Sequence, residues 1–147
     1  MKPNRPLQIV DLFQPVLSES LECPAFISTI SAGFPSPADD YVEKNLDLNT
    51  LMVSHPSATF YVRVEGDSMR DAGIQSGDLL VVDRSLEAAD GKIVVAILNG
   101  EFTVKRIELL ENRVVLHPEN PAYRSIAVPA DSDFQVWGIV TYVIHKA

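Results

Sequence analysis

The chain has 147 residues, 46% of them hydrophobic, with a formal net charge of −8 and a single cysteine, Cys23. That length supports one domain with its own apolar core. The acidic balance disfavours direct sequence-specific DNA binding, because phosphates would be repelled and Lys105-Arg106 is the only adjacent basic pair. One cysteine excludes an internal disulfide and multi-thiolate zinc sites, and fits a reducing cytoplasm.

Residues 1 to about 35 differ in character from the rest of the chain. Pro3, Pro6, Pro15, Pro24 and Pro35 interrupt any long helix, which predicts a loosely held arm with at most short strands. No signal-peptide core and no apolar run of about 18 residues stands out, so no membrane span is expected.

Ser36-Pro37-Ala38-Asp39 reads as a helix start, with Ser36 as cap and Pro37 at the first helical position. That helix would run to about Asn45. Asp47 then caps a second short helix through Val53, stopped before Pro56.

From Thr59 the apolar period changes to two. Phe60, Val62 and Val64 alternate with Tyr61, Arg63 and Glu65, the pattern of a half-buried strand. Asp78 to Asp83 reads as a short, fully buried strand. Lys92 to Leu98 and Glu101 to Glu108 flank Asn99-Gly100, a strong hairpin signal because a type I′ turn needs positive φ at both residues. Arg113 to Leu116 is another strand. Phe134 to Ile144 is a long one, with a bulge or bend expected at Gly138. The fold class is mainly β: a compact β-rich domain led in by an arm and one or two short helices.

Two residues in this frame can carry chemistry. Ser68, in Gly66-Asp67-Ser68-Met69, lies just past a strand end where a hydroxyl has free backbone N–H groups beside it. Those of Asp67 and Ser68 are the natural oxyanion donors. Gly, Asp and Ser are also ordinary turn formers, so the plainer alternative is a turn serine capping Met69 to Ala72. In the Phe102–Ile107 strand, alternation places Thr103, Lys105 and Ile107 on one face and Phe102, Val104 and Arg106 on the other. A lysine desolvated there has a lowered pKa, and its neutral amine can accept a serine proton, as an arginine could not. The plainer alternative is a snorkelling surface lysine.

His55, His117 and His145 are weaker candidates. His55 and His117 each precede a proline, His145 is near the C-terminus, and there is no Gly-x-Ser-x-Gly elbow. Asp67, Asp71, Asp78 and Asp83 fit no calcium-loop spacing, so no metal or other cofactor is expected.

Four coupled blocks carry a family resemblance: Glu65-Gly66-Asp67-Ser68-Met69-Arg70-Asp71-Ala72-Gly73-Ile74, Gly77-Asp78-Leu79-Leu80-Val81-Val82-Asp83, Asp90-Gly91-Lys92-Ile93-Val94-Val95-Ala96 and Gly100-Glu101-Phe102-Thr103-Val104-Lys105. In order and spacing they resemble the LexA/UmuD self-cleaving serine peptidases. Upstream, Ala32-Gly33-Phe34-Pro35 is similar to that family's cleavage segment.

The resemblance implies Ser68 as nucleophile, Lys105 as general base and Ala32–Gly33 as the scissile bond. It implies an arm of residues 1–32, removed by self-cleavage, and a peptidase and dimerisation domain of residues 33–147. Thirty-two proline-rich residues leave no room for the DNA-binding domain of a repressor, so the chain is more similar to the UmuD/MucA type.

For that type the resemblance implies a cytoplasmic bacterial homodimer of the SOS response. Cleavage is stimulated by a RecA–single-stranded-DNA filament, and the trimmed form assists a Y-family, UmuC-like translesion polymerase. Two other readings remain open at this level: a binding module with vestigial chemistry, and a truncated phage-type repressor.

Overall fold

The computed structural model describes residues 5–17, 22–26 and 42–147. In chain order the strands are β1 (Gln8–Phe13), β2 (Glu22–Phe26), β3 (Val42–Asp47), β4 (Thr59–Glu65), β5 (Leu79–Asp83), β6 (Ile93–Leu98), β7 (Glu101–Leu110), β8 (Arg113–His117), β9 (Ile126–Ala127) and β10 (Phe134–Ile144). One short helix, α1 (Leu48–Met52), precedes β4. No described helix is long and apolar enough to cross a membrane.

Eight strands form one antiparallel sheet in the order β1-β4-β5-β10-β6-β7-β8-β9, and β2 pairs separately with β3. The sheet curls, so that β1, at one edge, also lies against β7. Valines dominate the strands and pack on both faces. One cluster joins Leu7, Val62, Val64, Met69, Ile74, Leu80, Val82, Val95 and Val104. A second joins Val94, Ala96, Ile107, Leu116 and Ile139. A strand buried on both faces needs no alternation, which is why β5 and β6 read as continuous apolar runs.

Local signals fix several features. Asp47 caps α1, its carboxylate accepting from the Asn49 amide at 3.1 Å. Asn99 and Gly100 have φ of 50° and 82°, both positive as the β6–β7 hairpin requires. The β10–β6 register slips between Val136 and Gly138, at the position expected for the bulge. A Cβ on Gly138 would stand 2.5 Å from Val82 Cγ1 on β5, so glycine also leaves room there for the side chain of the neighbouring strand on the other side of β10.

The helix expected from Ser36 to about Asn45 is corrected where it can be seen. Val42–Asp47 is strand β3, paired from Phe26↔Val42 to Glu22↔Asp47. A capping signal is local, whereas this strand is set by a partner some twenty residues upstream, which overrides helix propensity. Ser36, Pro37 and Asp39 lie outside the described residues.

The proline-rich lead-in contributes to the main sheet. β1 pairs with β4 from Gln8↔Glu65 to Phe13↔Tyr61, and Leu7 is only 2% exposed within the first core cluster.

Candidate active site

Ser68 follows β4 on a tight turn. Val64 and the Gly77-Asp78 backbone close the loop's base, with Gly77 N–H donating to Val64 O at 2.7 Å and Val64 N–H to Asp78 O at 3.0 Å. Inside the loop, Met69 and Ile74 are fully buried and anchor it. Each contributes about 1.5–3 kcal/mol of hydrophobic burial. Gly73, at φ 83°, ends the single 3-10 turn Arg70–Ala72 in the left-handed region. The serine is thereby held with its side chain inward, at 0% exposure.

Lys105 lies on β7 directly opposite Val94 of β6, itself fully buried. At 5% exposure Lys105 is a buried lysine, not a snorkelling one. Its Nζ donates to Thr103 Oγ1 at 3.0 Å and to Val104 O at 3.1 Å, and lies 3.4 Å from Ser68 Oγ. Thr103 shares the face of Lys105, as alternation requires. Among the described residues no carboxylate pairs with the amine, and burial pulls its pKa from 10.5 down to about 8. Arg106 points the other way, donating to the Glu119 carboxylate and to Gly91 O.

The arm reaches this site through residues 5–7. Leu7 N–H donates to Ser68 Oγ at 2.9 Å, and Asp67 N–H donates to Arg5 O at 2.9 Å. One of the two expected oxyanion donors therefore already holds a peptide carbonyl. No described group accepts from the Ser68 N–H. Ala32 and Gly33 lie outside the described residues.

The other sequence candidates are elsewhere. His55 pairs with Asp83 at 2.6 Å, His145 with Asp78 at 2.7 Å and His117 with Glu108 at 2.5 Å. Asp71 bonds to Arg70. Among the described residues no group of three or more His, Cys, Asp or Glu side chains is arranged to hold a metal ion. The structure adds residues that sequence reasoning missed: Leu7, and Asn120 and Tyr123, which bond to Asp67. A lone leucine after Pro6 and a Pro-flanked turn carry no periodic signal.

A serine beside a buried lysine on a curled β sheet defines a class, and sequence comparison agrees with it. The Peptidase S24-like family matches residues 24–141, and the chain belongs to that family. Within it the chain is of the UmuD/MucA type. It is 49% identical to Protein SamA of Salmonella typhimurium over 84% of this chain and 85% of that protein. It is 46% identical to Protein MucA of Escherichia coli over 90% of this chain and 92% of that protein. A LexA repressor of Shewanella piezotolerans is 42% identical over 82% of this chain but only 58% of its own length.

Proposed function

We propose that the chain is a self-cleaving Ser-Lys peptidase whose substrate is its own Ala32–Gly33 bond, and that cleavage activates it in SOS mutagenesis. The observation that carries this reading is the 3.4 Å approach of Lys105 Nζ to Ser68 Oγ, with both groups buried.

The steps balance with these two side chains and water. Neutral Lys105 takes the hydroxyl proton of Ser68 as Oγ attacks the Ala32 carbonyl carbon. The oxyanion is held by the backbone N–H groups of Asp67 and Ser68. Lys105 then gives the proton to the Gly33 nitrogen as the C–N bond breaks, leaving an acyl-Ser68 ester. Water, deprotonated by Lys105, hydrolyses the ester and releases residues 1–32 with a carboxylate at Ala32. A charged lysine cannot start this sequence, so its lowered pKa brings the reaction within reach near neutral pH.

The product, residues 33–147, acts as a homodimer alongside a Y-family polymerase in the bacterial cytoplasm. A RecA–single-stranded-DNA filament stimulates cleavage by favouring the docked cleavage segment. Residues 1–32 carry Lys2 and Arg5 against Asp11, Glu19 and Glu22, so their loss barely changes the charge. The switch therefore works through uncovered surface. The similarity to SamA and MucA over most of their length supports this assignment.

Mass spectrometry of the purified chain held at alkaline pH tests the reading. A fragment beginning at Gly33 appears in the wild type and is lost in folded Ser68→Ala and Lys105→Ala. Unchanged cleavage in either variant would end it.

A further inference from the structure

The segment Glu119–Tyr123 spans the two halves of the site. Asn120, 5% exposed, donates from Nδ2 to the Asp67 carbonyl at 2.8 Å. Its Oδ1 accepts from Ala122 N–H at 3.0 Å, so the side-chain amide is oriented from both ends. Tyr123 OH donates to Asp67 Oδ1 at 2.5 Å. Just before Asn120, Glu119 N–H donates to the Ser68 carbonyl at 2.9 Å, and Glu119 O accepts from Asp71 N–H at 2.8 Å. The Glu119 carboxylate takes the Arg106 guanidinium, which adjoins Lys105 on β7. Within this five-residue segment Glu119, Asn120 and Tyr123 thus hold the Asp67 and Ser68 carbonyls, the Asp67 carboxylate and the strand of Lys105.

A peptide unit is planar and trans, so its C=O and the next N–H point in opposite directions. Fixing the Asp67 carbonyl, which accepts from Asn120 at 2.8 Å and more weakly from Arg70 N–H at 3.2 Å, therefore aims the Ser68 N–H to the other side. Fixing the Asp67 carboxylate through Tyr123 restrains the same unit against rotation. We infer that Asn120 and Tyr123 are positioning residues that orient the Asp67–Ser68 peptide as oxyanion donor, without touching the reacting atoms. This rests on the Ser-Lys reading above. Tyr123 is kept protonated for the task, because burial and the adjacent Asp67 push its pKa up to about 12.

The test is the full-length chain's self-cleavage rate across pH, compared for wild type, Asn120→Ala and Tyr123→Phe, with circular dichroism and Trp137 fluorescence reporting the folded fraction. The plateau rate at alkaline pH falls about 100-fold in Asn120→Ala, the scale of a misplaced catalytic group. It falls about tenfold in Tyr123→Phe, which keeps the ring and loses one hydrogen bond to a charged partner. The pH midpoint, set by Lys105, does not move in either.

An unchanged plateau overturns the inference. So does a loss that merely follows the unfolded fraction, or one produced by a shifted midpoint. Wild type that never cleaves removes the underlying peptidase reading itself. Wild type that cleaves no faster than Asn120→Ala and Tyr123→Phe removes this inference alone.

Discussion

The Leu7 amide donates to Ser68 Oγ at 2.9 Å, closer than Lys105 Nζ at 3.4 Å. Ser68 Oγ is thus held by residues 5–7 as well as by Lys105. Residues 5–7 occupy the site in an orientation that presents an amide N–H to the hydroxyl oxygen, and the neighbouring Arg5 carbonyl takes the Asp67 N–H. Under the proposed Ser-Lys reading, a substrate carbonyl would need the Asp67 N–H that Arg5 O now holds, so residues 5–7 would have to shift first.

Gly66 makes that arm contact possible. It adopts φ 116°, and a Cβ there would stand 2.2 Å from Pro6 O. Gly66→Ala therefore strains the turn by about 1–3 kcal/mol and pushes residues 5–7 away from Ser68. Hydrogen exchange at the Leu7 amide accelerates in the variant relative to wild type, while amides in the middle of β6 keep their protection relative to global stability. Undiminished protection at Leu7 would show that the contact does not depend on the missing Cβ.

Lys105 ties stability to pH. Its folded pKa is about 8 against 10.5 for the free side chain. Between these values the unfolded chain holds the proton and the folded chain does not, so stability rises with pH. The gain is about 1.5 kcal/mol from pH 8 to 9.5, a window below the ordinary tyrosine range. Urea unfolding followed by Trp137 fluorescence measures it, and Lys105→Met flattens the slope. An equal slope in wild type and Lys105→Met would mean that the amine is not desolvated.

Thr103 tunes the same amine. Its hydroxyl accepts from Nζ at 3.0 Å, an interaction that favours the charged form. Thr103→Val removes the acceptor with little change of shape. The midpoint of the cleavage pH profile then moves down by about one unit, the scale of a hydrogen bond to a charged group. A midpoint that stays or rises would assign Thr103 no part in setting the lysine.

Alternation along β7 placed Lys105 and Arg106 on opposite faces, and their partners in the structure differ accordingly, but it left open whether Lys105 was buried or a snorkelling surface lysine. The sequence also showed the Asn99-Gly100 hairpin, the Gly138 bulge and the Asp47 cap, each a local demand of backbone geometry. It did not show β3, whose pairing with β2 is made with a distant segment. The role of Leu7 was illegible for a related reason. A single leucine between Pro6 and Gln8 has no period, and only the closing of the sheet around β1 buries it. Nothing local in the Pro118–Tyr123 stretch singles out Asn120 and Tyr123, since only the folded chain brings them against Asp67.

The most direct test of the Ser68–Lys105 pairing is the rate at which the fragment beginning at Gly33 appears, followed by mass against pH. In wild type the rate rises with pH and levels off above about 8, where Lys105 is neutral. In folded Ser68→Ala and Lys105→Met the fragment is absent at every pH. A pH-independent rate in wild type, or an undiminished fragment in Lys105→Met, would contradict the pairing.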